Sequence, residues 1–125
     1  MIDQVDFYTG FEGEGEVRFI CQSDEKKYSI SIWEGYFFDI MNALLSNLKE
    51  LNIKPTGIVY CYQTQTGWYD ESPWLLEDLD ITSNYFELIL KNAGFDEKRE
   101  GILAAIIELL NYARVNNLCV YIDYD

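Results

Sequence analysis

The segment EVRFICQSDEKKYSISIW, residues 16–33, indicates the fold most clearly. Apolar and mostly polar residues alternate in Glu16–Gln22 and again in Tyr28–Trp33, and the polar segment Ser23–Lys27 joins these two runs. A period of two is typical of strands that bury one face. The segment therefore predicts two antiparallel strands joined by a short turn.

Helices are indicated by three other features of the chain. An apolar stripe with spacings of three and four residues predicts a helix from Tyr36 to Leu51. Asn84, with Glu87 three positions later, predicts the start of a second helix, and Asp96 predicts the cap of a third. The remaining predicted elements are strands at residues 4–9, Gly57–Gln63 and Leu118–Tyr124, while the second and third helices extend to about Asn92 and Asn116.

The predicted order β-β-β-α-β-loop-α-α-β defines an α+β fold, in a single domain spanning residues 1–125. We expect a mostly antiparallel sheet of about five strands with helices packed on one face. The near-continuous apolarity of Gly57–Gln63 predicts a central strand. The last strand, Leu118–Tyr124, is expected beside it or at the neighbouring edge, because an unpaired apolar strand would aggregate.

The charge of the chain restricts its partners. The formal net charge is −13, from 22 acidic and nine basic residues, and there is no histidine. Nucleic acids and anionic membranes attract clusters of Lys and Arg, so this charge argues against both as partners. It favours a protein with a basic surface, because opposite charge accelerates encounter. Acidity that serves solubility alone is the alternative interpretation.

The segment WYDESPWLLEDLD, residues 68–80, combines aromatic and acidic side chains. It holds two tryptophans, a tyrosine and five carboxylates, and residues 55–90 contain no basic residue. Aromatic anchors among unpaired carboxylates are typical of a surface that binds a cationic protein. Alternatively, the tryptophans only attach a long loop to the core. The predicted partner-binding residues are Trp68, Tyr69, Asp70, Glu71, Trp74, Glu77, Asp78 and Asp80, together with Glu12 and Glu14 of the glycine-rich loop Gly10–Glu16.

Catalytic chemistry finds little support in the sequence. Without histidine, the commonest general base and metal ligand are missing. The GFEGEG run lacks the spacing and the lysine of a phosphate loop. Carboxylate pairs such as Asp70 with Glu77, or Asp78 with Asp80, are unspecific among 22 acids. We therefore expect no catalytic residues, no metal site and no cofactor.

The cysteines and the hydropathy pattern predict the compartment. Cys21, Cys61 and Cys119 each fall in a predicted strand, so we expect buried, reduced thiols. The chain starts MIDQVDF, without the pattern of a secretion signal, and no run reaches eighteen apolar residues. These features predict a cytoplasmic protein.

The WYDESPW segment, continued by EDLD at residues 77–80, follows a predicted central strand and precedes two predicted helices. The chain resembles the bacterial immunity proteins of contact-dependent growth inhibition and other polymorphic toxin systems in three ways: in this arrangement, in its small size and in its strong acidity. The resemblance implies stoichiometric inhibition of a cognate toxin, often a nuclease, by covering its active site or a nearby surface. It leaves the oligomeric state open.

Two other functions are compatible with the sequence. An anti-nuclease or anti-restriction protein could imitate the phosphates of a nucleic acid with its carboxylates, although such mimics usually carry long regular rows of charge. A small enzyme that uses a pair of carboxylates is the third hypothesis.

Overall fold

The alternating segment at residues 16–33 forms a β-hairpin, in which Glu16 lies opposite Trp33 and Gln22 opposite Lys27. The structure, a computed structural model, describes residues 2–125, without the side chains of Ile2 and Asp3. Its elements are β1 (Ile2–Phe7), β2 (Glu16–Gln22), β3 (Lys27–Trp33), α1 (Glu34–Glu50), α2 (Gly57–Thr64), a 3-10 turn at Gly67–Tyr69, β4 (Trp74–Leu76), α3 (Leu79–Asn92), α4 (Glu97–Val115) and β5 (Val120–Tyr124).

The five strands form one sheet in the order β1-β3-β2-β5-β4. β1 runs parallel to β3, and the other neighbouring strands are antiparallel. The predicted α+β class and mostly antiparallel sheet are therefore confirmed. The sheet is mixed and not purely antiparallel, because β1 and β3 run in the same direction.

One face of the sheet packs against helices. The ring of Phe19 in β2 lies 6.1 Å from that of Phe37 in α1 and 6.4 Å from that of Phe86 in α3, all three buried. On the opposite face, Leu75 and Tyr121 are exposed. This division explains the period of two in the sequence, since alternate residues of each strand face the helices.

The prediction of a strand at Gly57–Gln63 is wrong, because this segment forms α2. Only Ile58 and Val59 of α2 are buried, and Tyr60 is 51% exposed. Periodicity alone does not distinguish a short apolar run in a helix from one in a buried strand. The fourth strand is instead β4, and β5 lies between β2 and β4.

The predicted start of the second helix at Asn84 is also wrong. This helix, α3, begins at Leu79, and the side chain of Asp78 accepts a hydrogen bond from the backbone N–H of Ile81 at 2.9 Å. The third predicted helix is confirmed as α4. Its cap is Asp96, which accepts from the backbone N–H of Arg99 at 3.0 Å.

The cysteines differ in their surroundings. Cys21 lies in β2 and is buried, as predicted. Cys61 is half-buried on α2, and Cys119 is exposed just before β5, so the prediction that all three lie buried in strands is wrong for these two. Burial raises the pKa of the Cys21 and Cys61 thiols, which favours their neutral forms.

Candidate protein-binding surface

Trp68, the first predicted anchor, belongs to the hydrophobic core. Its side chain is 2% exposed, and its ring lies 5.8 Å from Phe37 of α1 and 5.6 Å from Trp74 of β4. The 3-10 turn at Gly67–Tyr69 directs this side chain inward. The prediction that Trp68 contacts a partner is therefore wrong, and the alternative that it attaches the loop to the core holds for this residue.

Trp74 is half-buried and lies on the edge strand β4. It stands opposite Ile122 of β5 and packs edge-on against Trp68. A Cβ atom at Gly67, where φ is +65°, would lie 3.3 Å from Cε2 of Trp74. Close packing on this side leaves only part of the indole accessible to another molecule.

The candidate surface lies at one end of the sheet, where β1, β3 and β5 end and β2 and β4 begin. Glu16 and Asp125 exchange two backbone hydrogen bonds of 3.1 and 3.0 Å there. The backbone N–H of Tyr124 donates to Oγ of Ser72 at 3.0 Å, which places the preceding Asp70 and Glu71 at the same end. We define the acidic end by seven carboxylates, those of Glu12, Glu14, Glu16, Glu34, Asp70, Glu71 and Asp125.

Aromatic rings hold the glycine-rich loop in this acidic end. Phe11 stacks on Trp33 with ring centroids 4.1 Å apart and planes 5° apart, and Tyr36 contacts Trp33 edge-on at 5.0 Å. Nε1–H of Trp33 donates to Oε1 of Glu14 at 3.3 Å. These contacts hold the glycine-rich loop against β3 and α1, and they fix the position of Glu14.

A second cluster links this loop to the segment that follows Trp68. The Tyr124 hydroxyl donates to Oε2 of Glu34 at 2.7 Å, and the Tyr69 ring lies 5.4 Å from that of Tyr124. Glu34 packs so closely on Gly15 that a Cβ atom there would lie 2.0 Å from its Oε2. The two predicted acidic groups, Glu12 with Glu14 and Asp70 with Glu71, thus belong to one surface.

Burial, together with the Glu34 carboxylate, raises the pKa of Tyr124 to about 12. Burial also raises the pKa of Tyr69. Both phenols are therefore neutral near pH 7, and they add no charge to the acidic end.

The tyrosine–glutamate contact predicts a change in stability at high pH. The pKa of Tyr124 is about 12 in the folded protein and near 10 in the unfolded chain. The protonated Tyr124 hydroxyl therefore adds to the free energy of unfolding below pH 10, and this contribution is lost as the pH rises from 10 to 12. Glu34→Gln should lower the pKa of the Tyr124 hydroxyl toward its ordinary value near 10. NMR titration of the tyrosine Cζ carbons would measure this, with Tyr124→Phe assigning the signal. An unchanged Tyr124 titration in Glu34→Gln would contradict the contact.

The other predicted acidic residues do not reach the acidic end. Glu77, Asp78 and Asp80 lie between β4 and the first turn of α3. Asp78 caps that helix, and Oδ1 of Asp80 accepts from Nη1 of Arg114 at 2.7 Å. The prediction of unpaired carboxylates is therefore wrong for Asp80. Since Asp80 is largely exposed, this ion pair adds little stability.

Two guanidinium groups near the acidic end pair with carboxylates that do not belong to it. Arg18 pairs with Asp123 at 2.6 Å, and Arg99 pairs with Asp39 and Asp96 at 2.7 and 2.8 Å. Arg99 also lies over the ring of Tyr36, 5.1 Å from its centroid. Both guanidinium groups are thus engaged by carboxylates outside the acidic end.

Several residues in and beside the acidic end were not predicted from the sequence. Trp33, Glu34 and Tyr124 are far apart in the chain, and the sheet brings them together. A signal was available for Trp33 and Glu34, because the hairpin register places them beside Gly15 and Glu16. Tyr124 required knowledge that β5 pairs with β2.

The fold and the acidic end define the class of the protein as an acidic α+β domain with a mixed sheet. No protein-family model matches the chain, and neither a curated protein nor a solved structure is significantly similar to it. Among the side chains described, no cluster of three Cys, Asp or Glu could hold a metal ion. No helix within residues 2–125 has the length and apolar composition needed to cross a membrane.

Proposed function

We propose that this protein is a stoichiometric inhibitor of a basic enzyme, acting as an immunity protein that neutralises a cognate bacterial toxin in the cytoplasm. The observation that carries the proposal is the acidic end, where carboxylates from separate loops surround ordered aromatic rings. A chain with a net charge of −13 is attracted to a basic enzyme over distances that direct contacts do not reach. The protein itself would have no turnover.

Two groups of side chains would act in turn. The exposed carboxylates of Glu12, Glu14, Asp70 and Glu71 would attract and orient the basic partner. The half-buried Phe11 and Tyr69 rings would then lose water on contact, which stabilises the complex. Because Phe11 already stacks on Trp33 and Tyr69 packs edge-on against Tyr124, little side-chain freedom is lost on binding.

A nuclease is the toxin class that this surface suits best. Nucleases hold the phosphates of their substrate with Lys and Arg, so their active-site clefts carry positive charge. Exposed carboxylates can pair with the same side chains. Occupying such a cleft, or the surface beside it, would exclude the nucleic acid.

The proposal is tested by expressing the reading frame that neighbours this gene, alone and together with it. We expect the neighbour to stop growth when expressed alone, and co-expression to restore growth. The two proteins should then purify as a complex of fixed stoichiometry, in which the enzymatic activity of the neighbour is lost. Selective inhibition is expected because shape and charge must both match the partner.

Other outcomes would contradict this proposal. Equal inhibition of several unrelated nucleases would favour the alternative of a nucleic-acid mimic. Hydrolase, nuclease or transferase turnover by the purified protein would favour a carboxylate-based enzyme. A harmless neighbour that forms no complex would remove the basis for an immunity function.

A further inference from the structure

A cavity of about 550 Å³ lies between the C-terminal half of α1, the following loop and the end of α2. None of its described lining residues belongs to the acidic end. Its volume falls within the range of about 300–1,000 Å³ that small-molecule sites occupy. The nine described lining residues are Asn42, Leu45, Ser46, Lys49, Asn52, Ile53, Lys54, Pro55 and Gln63.

The end of α1 creates this cavity by turning the chain back. Asn52 has a φ of 56°, in the left-handed region, and asparagine tolerates this conformation better than most residues. The backbone N–H of Ile53 then donates to the carbonyl of Leu48 at 2.8 Å. The loop that carries Ile53 and Lys54 is therefore fixed beside the helix.

The charge of the cavity is opposite to that of the chain. Lys49 and Lys54 line it, and none of its nine described lining residues is acidic, although 22 of the 125 residues of the chain are. Within the described part of the chain, neither lysine side chain makes an ion pair, whereas Arg18, Arg99 and Arg114 are all paired. Two lysines without an ion pair therefore line one cavity.

Polar and apolar groups complete the wall. The Tyr62 hydroxyl donates to Oδ1 of Asn42 at 2.7 Å, which leaves the Nδ2 amide of Asn42 as a hydrogen-bond donor. Leu45, Ile53 and Pro55 supply apolar surface, and Ile53 is 45% exposed. A cluster of positive charge beside an apolar wall is suited to a ligand that is anionic at one end only.

We propose that this cavity binds a small organic anion. Lys49 and Lys54 hold its carboxylate or phosphate group, the Asn42 amide donates to the same group, and the apolar body of the ligand covers Leu45 and Ile53. The site is independent of the proposed inhibitor function, since it shares no residue with the acidic end.

Phenyl phosphate is the probe for this site, with benzyl alcohol as a neutral analogue and inorganic phosphate as an anion without an apolar body. At physiological ionic strength, ¹H–¹⁵N spectra should show saturable shifts for phenyl phosphate at amides of residues 42–54 and 63. Inorganic phosphate should bind more weakly, because it leaves the apolar wall uncovered. Benzyl alcohol should bind more weakly still, because the charged contact is missing.

Charge-removing variants test the role of the two lysines. We expect Lys49→Gln or Lys54→Gln to weaken phenyl phosphate binding about fivefold or more, and the double variant more than about tenfold. Lys91→Gln is the matched control, because Lys91 is exposed on α3 and lines none of this cavity. Since Lys49 and Lys54 are also exposed, melting temperatures should change only slightly in all variants.

Three results would overturn the proposal. Equal affinity for benzyl alcohol would define an apolar hollow without anion selectivity. Equal weakening by Lys91→Gln would indicate a general effect of net charge. If millimolar phenyl phosphate caused no saturable shifts, the cavity would not bind such anions. The two lysines would then serve only to offset the negative end of the α1 dipole.

Discussion

Trp68→Ala is expected to lower the free energy of unfolding by about 3–5 kcal/mol, a typical cost for removing a fully buried large aromatic side chain. Trp68 is 2% exposed and contacts the rings of Phe37, Tyr69 and Trp74. Because small domains are stable by only about 5–15 kcal/mol, much of the stability would be lost. Urea denaturation followed by circular dichroism would measure the change.

Two further substitutions separate packing from other causes. Trp68→Phe should cost less, because it keeps an aromatic ring in the core and leaves a smaller cavity. Tyr121→Ala is a surface control, since this tyrosine is exposed on the open face of the sheet. If Trp68→Ala were as stable as the unchanged protein, the core position of Trp68 would be refuted.

The parts of the fold that were predicted correctly are those with a local signal. The hairpin at residues 16–33 alternates over both strands because one face of each is buried. The cap at Asp96 is recognisable because an aspartate precedes a long apolar period. In both cases, neighbouring residues in the chain experience the same environment, so the pattern is visible without knowledge of the fold.

The errors occur where tertiary contacts decide the structure. The apolar run in α2 has the length and composition of a strand, yet it packs as a helix beside α1 and α3. β4 has only three residues, too few to establish a period, and its pairing with β5 defines it. Trp68 has the same aromatic character as an interface anchor, and only the surrounding rings show that it is buried.

The candidate surface was partly predicted for a related reason. Glu12, Glu14, Asp70 and Glu71 were recognised from local composition, but as two separate groups. Their union depends on Glu34 and Tyr124, which the sheet brings from distant parts of the chain. The acids at residues 77–80 have a similar composition, but the start of α3 engages Asp78 and Asp80 in a cap and an ion pair.

Neutralising the exposed carboxylates of the acidic end is expected to slow association with the proposed basic partner about tenfold or more at low salt, because steering by charge accelerates encounter by roughly 10–1,000-fold. The variant combines Glu12→Gln, Glu14→Gln, Asp70→Asn and Glu71→Gln. Surface plasmon resonance at several salt concentrations would measure the rates. Added salt should reduce the difference in association rate between the variant and the unchanged protein, because it screens the attraction of each to the partner.

A control of equal charge decides whether the position of these carboxylates matters. Asp24→Asn, Glu50→Gln, Glu87→Gln and Glu108→Gln also remove four exposed negative charges, from the β2–β3 turn and the helices. If the acidic end is the contact surface, this second variant should associate markedly faster than the first, because charges farther from the interface steer less. Equal slowing by both variants would show that net charge alone drives association. A normal rate in the first variant would place the interface elsewhere on the molecule.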